Sequence, residues 1–260
     1  MGFQKPFHRI YRPEVSNAIP GQGTNGYIVD KEYSKNPEHF IRSFMLLQED
    51  ILKLFEFIEP SDKNLKTHSF RIHELLMRMC IEVEANFKAI LNENIFNPIN
   101  KKRRLIPYDE WGMNQFKVVN KSHHLDAYTV EFPYWIGENR IRKPFESWKT
   151  NGSLTWYQAY NRTKHDRHLN FEEANFKNLL DAFSGLFVLL SSQFETNDFG
   201  TGMATLGLGF NTYFEGKFGI GQYLIINFPD DWKEEEKYDF NWIDLNEQKD
   251  RFEKFNYDHL

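Results

Sequence analysis

The stretch Trp156-Tyr157-Gln158-Ala159-Tyr160-Asn161-Arg162-Thr163-Lys164-His165-Asp166-Arg167-His168 concentrates side chains able to move protons and hold anions. Imidazoles titrate near neutrality, and guanidinium and ammonium groups beside them suit an anionic substrate such as the RNA backbone. Arg162, Lys164 or Arg167 would hold phosphate and offset charge developing in the transition state. His165, with His168 beside it, would move a proton to or from a ribose 2′-hydroxyl or a leaving oxygen, and no metal would be required. On a continuous helix Gln158, Asn161, His165 and His168 recur at steps of three, four and three, hence on one face. Tyr157, Tyr160, Lys164 and Arg167 fall on the adjacent face. An ordinary hydrated helix end uses the same residue types: Arg162 and Asp166 stand four apart as an ion pair would, and late cations complement the helix dipole.

Asn161-x-x-x-His165, set in Tyr160-Asn-Arg-Thr-Lys-His-Asp-Arg167 and directly preceding a long apolar helix, resembles the signature of the HEPN superfamily. Those domains are all-α bundles of four or five helices, often dimeric, and many are metal-independent endoribonucleases of toxin–antitoxin and antiviral defence systems. Their motif is an arginine, commonly followed by a polar residue such as asparagine, with four to six residues in all before a histidine. Two registers fit. Aligning Asn161 and His165 with the polar residue and the histidine puts Tyr160 where the family has its arginine. Aligning Arg162 gives Arg162-x5-His168 with Thr163 at the polar position, and those two side chains come together only if the helix breaks or a second subunit supplies one of them. The resemblance implies an RNA- or nucleotide-binding protein, a ribonuclease if a cation near His165 replaces the motif arginine, and a homodimer. Catalysis would fall to Asn161, Arg162, His165 and His168, and substrate binding to Tyr160, Lys164, Arg167 and Glu82. A helical interaction or regulatory module without turnover is the rival reading.

The elements that must position these residues are mainly helical. Asn36-Pro37-Glu38 reads as a helix start, and Phe40, Phe44, Leu47, Ile51, Leu54 and Ile58 mark one face up to Pro60. A second helix is expected from about Thr67 to Asn92, with Ile72, Leu76, Met79, Val83, Phe87 and Ile90 inside. Arg71, Glu74, Arg78 and Glu82 form a charged stripe beside that face, either exposed ion pairs or a polar wall facing a groove. The third helix runs from Leu154 to about His168, capped by Ser153. Asn170 and Glu173 read as a capping box for a fourth, carrying Leu179, Leu180, Phe183, Leu186 and Leu190. The intervening 97–150 is irregular, with a basic run Lys101–Arg104 and a strand-like alternation through Tyr128, Val130 and Phe132.

The ends differ in composition. Residues 1–35 are broken by Pro13, Pro20, Gly21, Gly23 and Gly26 and read as loop. Seven of fifteen glycines lie between Gly200 and Gly221, ahead of a strand-like Tyr223–Phe228. Neither Gly-x-Gly-x-x-Gly nor a phosphate-binding Gly-Lys-Ser/Thr occurs there. The expected organisation is therefore an N-terminal loop segment (1–35), an HEPN-like helical domain (36–196), and a β-containing appendage (197–260) packed on it.

The net charge of −5 is uneven: residues 230–260 hold eleven acidic and five basic side chains. Six Trp, twelve Tyr and twenty-five Phe exclude general disorder and argue that the acidic tail is packed. Its charge is expected to shield Lys101–Arg104 and Arg162–Arg167, so removal after Pro229, if it leaves the fold soluble, should strengthen salt-sensitive RNA binding. The lone Cys80 on an apolar helix fits a reducing compartment. No apolar run approaches the roughly 20 residues that span a bilayer. The chain reads as soluble and cytoplasmic, with no cofactor. His123-His124 and His165-x-x-His168 lack the partners of a metal site, so none is expected.

Overall fold

The computed structural model describes residues 2–18, 25–196 and 223–259. The glycine run 200–221 and Pro20, Gly21 and Gly23 lie outside the described residues.

The architecture is mainly helical with a small three-stranded antiparallel sheet. Helix α1 spans Pro37–Phe55, with Pro37 in the first turn, where a missing N–H costs nothing. Its preceding Asn36 is left-handed (φ 50°) and makes no side-chain cap. Ile41, Phe44, Leu47, Ile51 and Leu54 are buried, and the helix stops short of the expected Pro60. Helix α2, Phe70–Asn92, begins at Ser69, whose hydroxyl accepts the Ile72 N–H. The charged stripe on α2 is only partly self-paired. Arg71 reaches Glu74 at 2.9 Å, but Arg71 and Arg78 also converge on Asp50 of α1, at 2.6 and 2.5 Å. The stripe thus ties two helices together.

Helix α3 covers Thr155–His165 and α4 covers Phe176–Phe194. Nearly every side of α4 is buried, so it forms the central rod that α1, α2 and α3 surround. Gly185 lets α3 approach: a Cβ there would sit 3.1 Å from Cζ2 of Trp156. The expected Ser153 cap is replaced by Leu154, which supplies no side-chain hydrogen bond, while the Ser153 carbonyl accepts from Ser147 Oγ.

Strands β1 (Thr129–Glu131), β2 (Ile141–Arg142) and β3 (Ile225–Asn227) order as β2-β1-β3, with Val130 opposite both Arg142 and Ile226. Among the described residues, β3 of the C-terminal stretch pairs with β1 of the middle segment. The connection between β1 and β2 is pinned by Asp62, whose carboxylate accepts from the Trp135 indole at 2.7 Å and from the Glu138 and Asn139 N–H groups. The indole bond and these N–H groups hold the Asp62 pKa down to about 2. Gly137 there has φ +128°, and an added Cβ would collide with the Asp62 carboxyl.

The N-terminal segment is largely irregular in its backbone, and its side chains join the core. Phe7, Ile10, Tyr27, Ile28 and Tyr33 are buried in the same hydrophobic cluster as the helices and as Tyr238, Trp242 and Tyr257 from the tail. Bridges pair Phe3 and Glu14 with Tyr238, and Phe7 with Glu253. Arg12, 4% exposed, has its guanidinium 4.9 Å from the Phe3 ring and 5.2 Å from the Trp232 ring. Residues beyond Pro229 thus supply part of the core, through Tyr238, Trp242, Leu245 and Tyr257. Arg9, fully buried, donates to Glu93 (2.7 Å), Gln193 (2.9 Å) and the Lys35 carbonyl (2.6 Å).

Candidate functional site

α3 does not continue through the chemistry-bearing stretch. At Asp166 the backbone leaves the helix (φ −143°, ψ 77°), and the Asp166 carboxylate accepts the Leu169 N–H at 3.2 Å, starting a separate turn, Arg167–Asn170. The single face through Asn161, His165 and His168 is thereby corrected: His168 belongs to the second turn. An aspartate that can cap a new turn competes with its own helix, which is the local reason for the break. The expected Arg162–Asp166 pair is also displaced. Arg162 Nε instead donates to Glu173 at 2.6 Å, an exposed pair whose carboxylate hydrogen bond raises the guanidinium pKa. With Glu173 engaged there, α4 starts later than a box at Asn170 would place it. Its cap is Asn175, whose side chain accepts the Asn178 N–H.

The inner face of α3 buries Trp156, Tyr157, Ala159, Tyr160 and Thr163. Tyr157 donates its hydroxyl proton to Glu84 Oε1 of α2 at 2.8 Å, and Lys164 Nζ lies 3.1 Å from the Tyr160 hydroxyl. Burial, and then the Glu84 carboxylate, push both phenols well above their ordinary pKa, so they stay protonated at neutral pH. Cys80 lies in the same region, fully buried, its thiol pushed up by burial first and Glu84 second. Glu82, expected at the site, is half-buried and lends its backbone carbonyl to Asn86 Nδ2. The acid that meets α3 is Glu84.

The outer end is different. Arg162, Lys164, His165, Arg167 and His168 are exposed, and Asn161 is half-buried. The Arg167 guanidinium stands 5.4 Å from the ring of Phe70, which is 68% exposed at the first position of α2. Phe171 packs against Phe70 with ring centroids 4.9 Å apart. His73 lies behind them, its pKa lowered by burial and then by the Arg167 charge. Phe70, Phe171 and His73 are thus the neighbours that periodicity missed. Phe70 falls off the apolar spacing of α2, and that was the available signal.

The other basic and histidine clusters go elsewhere. Lys101–Arg104 occupy an exposed turn in which Arg104 N–H bonds to the Asn100 side chain. His124 stacks on Trp232 at 3.8 Å, while His123 is sealed in the core. Among the described residues no group of three or more His, Cys, Asp or Glu is placed to hold a metal ion. No described helix is long and apolar enough to cross a membrane. Comparisons with family models, curated proteins and solved structures find no match.

Proposed function

We propose that this protein binds single-stranded RNA across the C-terminal end of α3. The observation that carries this reading is the exposed set Lys164, His165, Arg167 and His168, with the Arg167 guanidinium 5.4 Å from the exposed Phe70 ring. Cations neutralise backbone phosphate, and an accessible aromatic face stacks an unpaired base regardless of its identity. The HEPN resemblance supports the same substrate class and a homodimeric assembly.

A second reading, metal-independent cleavage, is favoured by the exposure of His165 between Lys164 and Arg167. Two observations weigh against it: Tyr160 stands buried at the position of the motif arginine, and Arg162 is engaged with Glu173. The non-catalytic binding module is therefore the reading we hold.

The test is fluorescence anisotropy with single-stranded RNA over a salt series, together with cleavage assays in EDTA. Replacing Lys164 or Arg167 by glutamine is expected to reduce the salt slope by about 0.7 for each lost phosphate contact. Phe70→Ala is expected to weaken binding by about 1–3 kcal/mol. Unchanged binding in all three variants would sink the proposal. EDTA-resistant cleavage abolished by His165→Ala would replace the binding module with the enzyme.

A further inference from the structure

A cleft of about 380 Å³ opens at the other end of α3, between β2 and the start of α4. Eleven residues of helix place it about 15 Å from the RNA-facing end, so it is a separate site. Its size falls in the range of pockets that hold metabolite-sized molecules. Arg142, Lys143, Thr155, Trp156, Lys177 and Asp181 line it.

Arg142 is the anomaly. Its side chain is only 4% exposed and lies over the Trp135 ring at 4.7 Å. A guanidinium carries five N–H donors, and burying them without acceptors is costly. Its one carboxylate partner, Asp181 Oδ1, stands at a long 3.4 Å, while Nε and Nη2 have no hydrogen-bond partner among the described residues. Asp181 is itself shared, since its other oxygen accepts from Lys177 at 2.6 Å. Glu146 pairs with Lys143 at 3.2 Å. Three cations against two carboxylates leave the lining one positive charge in excess.

The backbone adds to this. α3 begins at Thr155 with no side-chain cap, so its first N–H groups and the positive end of its dipole are open beside Thr155 and Trp156. We infer that this cleft binds the oxyanion group, phosphate or carboxylate, of a metabolite-sized molecule, held by Arg142, Lys177 and the first N–H groups of α3. Ile141 and Pro144 offer an apolar wall for the attached organic body.

Inorganic phosphate, phenyl phosphate and benzoate are titrated into the full chain in low-salt buffer, read by amide NMR shifts and tryptophan fluorescence. Saturable shifts confined to 141–144, 153–156 and 177–181 are expected at millimolar concentration. Phenyl phosphate binding tighter than benzoate assigns phosphate, and the reverse assigns carboxylate. Lys177→Gln is expected to weaken binding about tenfold, the loss of one charged hydrogen bond. Thr155→Pro removes one N–H while a proline is tolerated at that first helical position, and a similar loss is expected. Arg142→Met should abolish binding; if it does not fold, Lys177→Gln and Thr155→Pro decide. Lys102→Gln, on the remote turn, should leave affinity unchanged. No saturable shift with any probe, or equal affinity in wild type, Lys177→Gln and Thr155→Pro, overturns the site.

Discussion

His123 makes the core acid-sensitive by a calculable amount. Its ring is fully buried, with Nε2 donating to the Arg9 carbonyl at 2.9 Å. The carbonyl fixes the Nε2–H tautomer, so Nδ1 carries the lone pair 2.7 Å from Ser122 Oγ, which also lies 3.0 Å from the Val119 carbonyl and 2.7 Å from the Tyr257 hydroxyl. Burial pushes the pKa down to about 3; the hydrogen bond to Arg9 opposes the shift, and the Arg12 charge adds to it. The folded pKa lies below the unfolded value near 6.5, so protons favour the unfolded chain. Stability from this residue is complete above about pH 6.5 and is lost as pH falls toward 3. Lowering pH from 7 to 5 covers about 1.5 units of that window at about 1.4 kcal/mol each, a loss of about 2 kcal/mol. Urea denaturation at the two pH values measures it, with His123→Gln as reference because its amide can still donate to the Arg9 carbonyl. Other titrating groups contribute to both proteins, so the difference isolates His123. Equal pH sensitivity in the two, or an NMR titration of native His123 near pH 6.5, would refute the reasoning.

Two further outcomes follow from buried groups. Glu93→Gln leaves the Arg9 guanidinium uncompensated in the core and is expected to cost about 3–5 kcal/mol in urea denaturation, whereas a loss below about 1 kcal/mol would show the pair to be expendable. The Cys80 thiol, sealed and pushed up by burial, should react with thiol reagents only as fast as the whole protein unfolds, and rapid labelling under native conditions would contradict its placement.

Local signals carried the helices and failed where distant groups compete. The Asn36-Pro37 start and the α2 apolar spacing were legible because both depend on neighbours a turn away. The β1 strand showed in the alternation of Tyr128, Val130 and Phe132, but nothing local says that β3 pairs with it from almost a hundred residues on. At the site, residue types identified the exposed cations, yet the break at Asp166 and the Arg162–Glu173 pair depend on which partner wins among several. Glu84 was missed for Glu82 because two residues along a helix swing a side chain by about 200°, and only the position of α3 says which acid it meets. The core role of residues 3–15 was hidden by prolines that read as loop, since burial there comes from Tyr238 and Trp232.

The bridges that tie Phe3 to Tyr238, Phe7 to Glu253 and Ile95 to Asn256 bear on the order of events at the ribosome. Residues 3–14 cannot find their place until residues 238–253 have been synthesised. Phe7, Ile10 and the Arg12 guanidinium must wait, unburied, while more than two hundred residues follow them. Contacts of such sequence separation slow folding and expose apolar surface in the interim. The contacts that join α1, α2 and α4 span shorter stretches of sequence than those that join residues 3–14 to residues 238–253.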